Sequence, residues 1–386
     1  MKLATLLERD NNNFDLLRLC AALAVIFGHA FALHPNGGWH EPVRRLLGFT
    51  YSGSLAVDLF FFLSGILVTG SFCQSKSYTR FCLMRFSRIW PGLAVCLIIS
   101  TICVGSAVTT LSIGDYLVTW QTRWYVLTNI RLNSIVYTLP GVFEENYYKG
   151  AVNGSLWTLP IEIRCYAVAF IAGITGFFKT APRVLIFAFL SILLVYFLPN
   201  LLGYLRADAE QARMPLLFLF GMVCYASRAR IPIDFRLSLI ALPIAVTFSS
   251  STLGRIAFYG FFLNTALVIS SYKWLRRFRP PGDYSYGIYI YGFVIQQIVS
   301  HYFPAVTSYP SLLISIPATT LVAILSWTHI ERPALNYGRS LSSTYERYRT
   351  QAGNWLTGVW RLFQQSGHAK PRATNEGLAP QDPEAP

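Results

Sequence analysis

Charged side chains are scarce in this sequence. They make up 13% of its 386 residues, about half the roughly 25% found in a soluble globular domain. So little charge cannot cover several water-exposed domains, and the length does not by itself imply two or three of them. Acidic residues are scarcest, 18 Asp and Glu against 32 Lys and Arg. The resulting net charge of +14 does not point to nucleic acid, because the basic residues lie in short loops between apolar runs rather than on one soluble face. None of the seven cysteines (Cys20, Cys73, Cys82, Cys96, Cys103, Cys165 and Cys224) forms a C-x-x-C pair. That leaves no metal site and no disulfide framework to expect, and most of them read as small hydrophobes inside helices. The first apolar run, from near Phe14, lacks a small-residue cleavage site and reads as a retained helix rather than a signal peptide. No internal repeat is visible.

Apolar residues are abundant. Hydrophobic residues make up 53% of the chain and aromatics 15%, and the mean hydropathy is +0.42. About 20 apolar residues cross a bilayer as a helix, and the sequence offers about ten such runs. They fall near 14–33, 51–72, 89–110, 154–178, 183–203, 214–228, 235–250, 253–271, 284–303 and 310–330. The predicted fold is therefore an all-α polytopic membrane protein with no fused soluble domain. Alternate loops are basic: Lys76, Arg80, Arg85 and Arg88 in one, Lys179 and Arg183 in the next, then Arg228, Arg230 and Arg236, then Lys273, Arg276, Arg277 and Arg279. The positive-inside rule then places both termini in the cytoplasm. Residues 11–338 form the membrane-embedded domain and 339–386 a cytoplasmic tail. An amphipathic surface helix is expected over 342–364, with disorder beyond about 366.

Ionisable groups inside such spans are costly and mark function. Arg18 and His29 stand 11 positions apart in the first span, on one helical face and roughly 16 Å apart along the axis. Arg18 sits near the cytoplasmic end, where it either serves a ligand or snorkels. Asp58 enters from the opposite side and wants a partner, for which His29 is the obvious group; capping at the interface is the alternative. Glu162 in the fourth span is placed at the same depth and shares a face with Tyr166 four residues on. His29, Asp58 and Glu162 are thus expected to meet, as a histidine held by carboxylates is a standard general base. Arg85 and Arg88, three apart, suit phosphate oxygens or lipid headgroups.

Six segments carry a family resemblance: the R-x10-H span, VDLFFFLSG, R-x-x-R-x-x-P, LWTLPIEIRCY, SYGIYIY and HIERPA. Together, from about residue 11 to 338, they resemble the acyltransferase-3 family of bacterial membrane-bound acyltransferases. The resemblance implies a ten-helix inner-membrane bundle that O-acylates, commonly O-acetylates, surface carbohydrates. It makes His29 the essential histidine, Arg18 the arginine of the same helix, Arg85 and Arg88 the R-x-x-R pair, and Glu162 the glutamate of the W-x-x-x-x-E segment that Trp157 opens. The family often carries a histidine where this chain has Gly292, so any role of that histidine is absent or replaced.

The expected reaction is O-acyl transfer from acyl-CoA, most simply acetyl-CoA, to a hydroxyl of an exported carbohydrate or glycolipid. His29, Glu162 and Asp58 are the catalytic candidates. Arg18, Arg85 and Arg88 would hold the donor, and Trp157 and Tyr166 the substrate. No permanently bound cofactor is expected, since acyl-CoA is a donor substrate. The sequence leaves direct transfer and an acyl-histidine intermediate both open. The rival readings are a transporter, which the lack of an inverted repeat disfavours, and a non-catalytic polysaccharide export subunit.

Overall fold

The computed structural model describes residues 1–366 except 9, 36, 39, 76 and 198–208. The expected disorder beyond 366 and part of the run at 183–203 lie outside the described residues. The chain is all-helical, with no strand among the described residues beyond isolated bridges.

Apolar helices form where the hydropathy pattern marks them: α1 Phe14–Leu33, α2 Ser52–Gln74, α3 Tyr78–Ile98, α4 Leu159–Ile174, α5 Ala181–Phe197, α6 Ala209–Ala226, α7 Phe235–Thr247, α8 Thr252–Ser271, α9 Ser285–Tyr302 and α10 Ser308–Ser326. Six helical segments are long and apolar enough to cross a membrane, and shorter apolar helices lie among them. The protein is thus a multi-pass membrane protein. A final helix, α11 Arg332–Ser366, runs without a break through residue 338.

α3 begins well before the run expected at 89, because Ser77 caps it by accepting from the Arg80 amide. Arg80, Arg85 and Arg88 are therefore on the helix rather than in a loop. α3 passes Pro91 and continues through a π-helical stretch, Ile99–Gly105.

α1 packs against α2, α9 and α10. Its start is fixed by the Asn13 amide, which donates at 2.9 Å to Ser270 O and at 2.9 Å to Tyr272 O. α2 crosses α6 at Gly65 and Gly221, where a Cβ on Gly65 would stand 2.1 Å from Phe218 O. Only glycine permits that approach, as is common where membrane helices meet.

The segment 109–153, between the third and fourth apolar runs, is folded. It contains helices Ile113–Val118 and Trp120–Arg131 and is tied by bridges Thr109↔Val142 and Thr138↔Ala151. Asn146 Nδ2 donates at 2.8 Å to Gln297 Oε1, and Gln297 Nε2 donates at 2.6 Å to Ala151 O. These bonds dock the segment over the end of α9, where it walls one mouth of the bundle.

Candidate functional site

α1 carries Arg18 near its first residues and His29 near its last, and each faces a different cavity. The inner cavity is narrow, about 50 Å³, and is lined by Arg18, Arg88, Glu162, Thr158, Tyr286 and Tyr289, with Phe60 and Phe61 among its apolar walls. The outer cavity, about 570 Å³, is lined by His29, Trp157, Tyr51, Tyr148, Lys149 and Phe293, among others. A third cavity, about 430 Å³, lies beyond Arg85 and is also lined by Arg80 and Arg339.

The inner cavity is organised by Asp283, a residue the sequence reading did not single out. Arg18 Nη1 is 2.8 Å and Arg88 Nη2 is 2.7 Å from the same oxygen, Asp283 Oδ2. The other oxygen accepts from Ser285 Oγ at 2.6 Å. Burial alone would push the Asp283 carboxyl up; Arg18 and Arg88 outweigh it and hold the group well below the usual carboxylate range. Asp283 precedes α9 in the linker after Arg279, so its signal was a lone acid among basic residues just before the SYGIYIY segment. The Arg88 guanidinium also lies over the Tyr286 ring, 5.5 Å from its centroid.

Glu331, from the HIERPA segment, is a second missed carboxylate. It is buried, accepts from Ser326 Oγ at 2.8 Å, and ends a π-helical turn, Trp327–Glu331. Gly92 and Gly287 make room for it, since a Cβ on Gly287 would stand 3.2 Å from Glu331 Oε1 and 2.9 Å from the Ala323 Cα.

Arg85 and Arg88 do not share a ligand face. Three residues of helix rotate a side chain roughly 60° from its neighbour. Arg88 turns to Asp283, whereas Arg85 lies over the Tyr166 ring, 5.7 Å from its centroid, and lines the cavity of Arg80 and Arg339. Tyr166 in turn donates its hydroxyl to Glu162 Oε1.

The expected meeting of His29, Asp58 and Glu162 does not occur. Asp58 is fully buried, with Arg213 Nε at 2.9 Å and 3.0 Å from its two oxygens and the Tyr259 hydroxyl at 2.7 Å. Arg213 Nη2 also donates to Ser54 Oγ at 2.6 Å, one helical turn from Asp58. Arg213 stands one residue before the sixth apolar run, so a count of residues within spans passed over it. Glu162 lies deeper than expected. The chain enters at a 3₁₀ turn, Gly154–Thr158, and descends before Glu162, placing it roughly 13 Å inside. There it joins Arg18 and Arg88 rather than His29.

His29 packs edge-on against Phe293, with ring centroids 5.3 Å apart, and its Nδ1 is buried with no hydrogen-bond partner. The nearby Gly292 lets the helices close, since a Cβ there would stand 2.9 Å from Ile26 Cγ1, so α1 and α9 touch at this position.

The inner and outer cavities are separated by very little. Trp157 faces the outer cavity and its chain neighbour Thr158 the inner one. Likewise Phe293 faces the outer cavity and Tyr289, one turn earlier on α9, the inner one. The hydroxyls of Thr158 and Tyr289 are 2.6 Å apart at this boundary. The arrangement therefore places a charged cavity at one end of α1 and an imidazole in a second cavity at the other.

Comparison with known proteins agrees. The chain is 28% identical over 341 residues to an "O-acetyl transferase" of Shigella phage Sf6, covering 83% of this chain and 95% of the relative. It is 36% identical over 163 residues to "Nodulation protein 10" of Rhizobium leguminosarum bv. viciae, covering 40% of this chain and 42% of that protein. No solved structure matches it. The acyltransferase-3 family model, described as an acyltransferase domain, matches residues 11–329, and the chain belongs to that family of enzymes.

Proposed function

We propose that this protein moves an acetyl group from acetyl-CoA, supplied at the Arg85 end, to a carbohydrate hydroxyl that enters at the His29 end. The observation that carries the reading is α1 itself. One helix presents an arginine to a cationic cavity at one end and a histidine with an unpaired buried nitrogen to a second cavity at the other.

Arg85, Arg80 and Arg339 line a roomy basic cavity suited to the phosphates of CoA. The pantetheine arm would widen and thread the narrow inner cavity, whose walls include Phe60, Phe61 and Tyr289. His29 removes the proton of the acceptor hydroxyl as its oxygen attacks the thioester carbonyl. The carbon–sulfur bond breaks, CoA leaves as the thiolate, and the proton held by His29 passes to it. Trp157 flanks the acceptor side, and Glu162 with Tyr166 flanks the donor side.

The name of the phage relative supports acetyl as the acyl group and oxygen as its destination. The alternation of basic loops supports ten crossings with both termini in the cytoplasm, in the inner membrane of a bacterium. CoA, a cytoplasmic metabolite with a charged head, then reaches its cavity without crossing lipid.

The test is an assay of purified protein with radiolabelled acetyl-CoA and a panel of oligosaccharides. Label appearing in alkali-labile ester on a sugar, or as acetate released by water, supports the reading. Intact acetyl-CoA after prolonged incubation with every acceptor contradicts it.

A further inference from the structure

At the His29 end lies another cavity that the reaction does not use, about 620 Å³, walled by arginines from three distant parts of the chain. Arg44 comes from the short helix Pro42–Leu47, Arg213 from α6 and Arg255 from the first turn of α8. Asp58 balances the charge of Arg213 and fixes its guanidinium in place. Arg44 and Arg255 have no carboxylate partner among the described residues, and the nearby Glu41 is taken up by the backbone amides of Arg44 and Ser52. Arg255 lies over the Phe49 ring, 5.6 Å from its centroid, and Arg213 over Tyr259 at 5.9 Å, so aromatic faces hold both forks flat. Two guanidinium groups that make no ion pair among the described residues, beside a third held rigid, make a receptor for an anion with several oxygens.

The rim identifies how that anion is carried. Leu216 in the wall is 45% exposed, and Leu253 and Ile256, chain neighbours of Arg255 on α8, are 53% and 65% exposed. In a membrane protein such side chains meet hydrocarbon. The cavity therefore sets exposed arginines beside exposed apolar side chains, which matches a phosphate borne on a lipid tail and mismatches a freely soluble sugar.

We propose that this cavity binds the phosphate or diphosphate headgroup of a membrane lipid. Tyr51 lines both it and the His29 cavity. A lipid whose headgroup is seated among the arginines would thus present whatever its phosphate bears to His29. That last consequence rests on the acyl-transfer reading; the binding itself does not. The same chemistry is offered by an ordinary anionic phospholipid and by a lipid-diphosphate carrier of a sugar.

The experiment measures binding of three probes to the detergent-purified chain by native mass spectrometry: a polyprenyl diphosphate, phosphatidylglycerol and phosphatidylcholine. Wild type should prefer the phosphate-bearing anionic probes to phosphatidylcholine by roughly tenfold or more. The exposed double variant Arg44→Gln/Arg255→Gln should lose most of that preference, and Arg44→Lys/Arg255→Lys should recover part of it. Displacement of phosphatidylglycerol by the polyprenyl diphosphate marks a carrier site. Equal retention of the two marks a headgroup site, and both results support the proposal. A wild type that does not discriminate anionic from zwitterionic lipid, or a Gln variant that keeps the discrimination, overturns it. Acetyl-CoA consumption is not read, so failure here is distinct from failure of the acyl-transfer reading.

Discussion

Arg18 and Arg88 meet on one oxygen of Asp283, at 2.8 Å and 2.7 Å. The contact joins the start of α1, the middle of α3 and the linker before α9. It fixes two cations at the wall of the inner cavity in a geometry neither helix could set alone. It also commits part of their charge to the protein, so Arg18 and Arg88 shape a passage more than they bind phosphate freely.

Replacing Asp283 by Asn should therefore damage the fold as well as the chemistry. Removing one member of a largely buried ion pair costs about 3–5 kcal/mol when the partner charge is stranded; here both arginines keep some solvent access, so a smaller loss is expected. The melting temperature in detergent should fall measurably. The pH dependence has a defined sign. The Asp283 carboxyl is held below its unfolded value, near 3.9, so its stabilisation is fully present above that pH and is lost only as pH falls toward the folded value. Wild type should show no Asp283-dependent loss of stability between about pH 5 and 8, and the difference between wild type and Asp283→Asn should shrink in acid. A difference that grows in acid would contradict the assignment.

Arg85 and Arg88 should separate experimentally, because they face different cavities. Arg85→Ala should raise the KM for acetyl-CoA by roughly tenfold with little change in melting temperature, the loss expected for one charge-assisted phosphate contact. Arg88→Ala should lower stability together with activity. Equal effects of the two variants on both readouts would restore the view that they form one phosphate clamp.

Much of this architecture was legible from the chain. The apolar helices fall where hydropathy puts them, since a span must be apolar over nearly its full length and the signal is strong. Arg18 and His29 on one face also follow from spacing alone. Depth was less legible. Asp58 and His29 enter from the same end, but depth does not fix azimuth, and Asp58 turns to Arg213 on α6. Arg213 is not an intramembrane residue by count, so a search confined to spans could not pair it. Asp283 was hidden for a similar reason, as it lies in a basic linker. The fold of 109–153 was illegible because its order comes from long-range bonds such as Asn146 to Gln297 rather than from local periodicity.

Asp58 should then behave as a structural residue of the arginine-lined cavity. Asp58→Ala strands Arg213 and should lower the melting temperature, whereas the double variant Asp58→Ala/Arg213→Leu should recover part of it, since replacing both members of a buried pair is often close to neutral. A stable Asp58→Ala protein that binds acetyl-CoA but transfers nothing would instead assign Asp58 to the chemistry.

The Thr158–Tyr289 hydroxyl pair lies at the wall of the inner cavity that faces the His29 cavity, on the proposed route of the donor. Tyr289→Phe removes one hydroxyl without opening space. It should lower kcat by about tenfold or less while leaving the KM for acetyl-CoA nearly unchanged, as expected for a contact made late in the reaction. A raised KM with unchanged kcat would place the pair in donor binding instead.

The account stands most directly on His29, and the decisive measurement is the acetyl-transfer rate of His29→Ala alongside its affinity for acetyl-CoA. Because His29 faces the outer cavity and not the arginine-lined ones, donor affinity should stay within about twofold of wild type while transfer falls by roughly 10²–10⁴-fold, the range for loss of a general base. A His29→Ala protein that keeps more than about a tenth of the wild-type rate, or one that loses acetyl-CoA binding along with transfer, would contradict a reaction centred on this imidazole between two cavities.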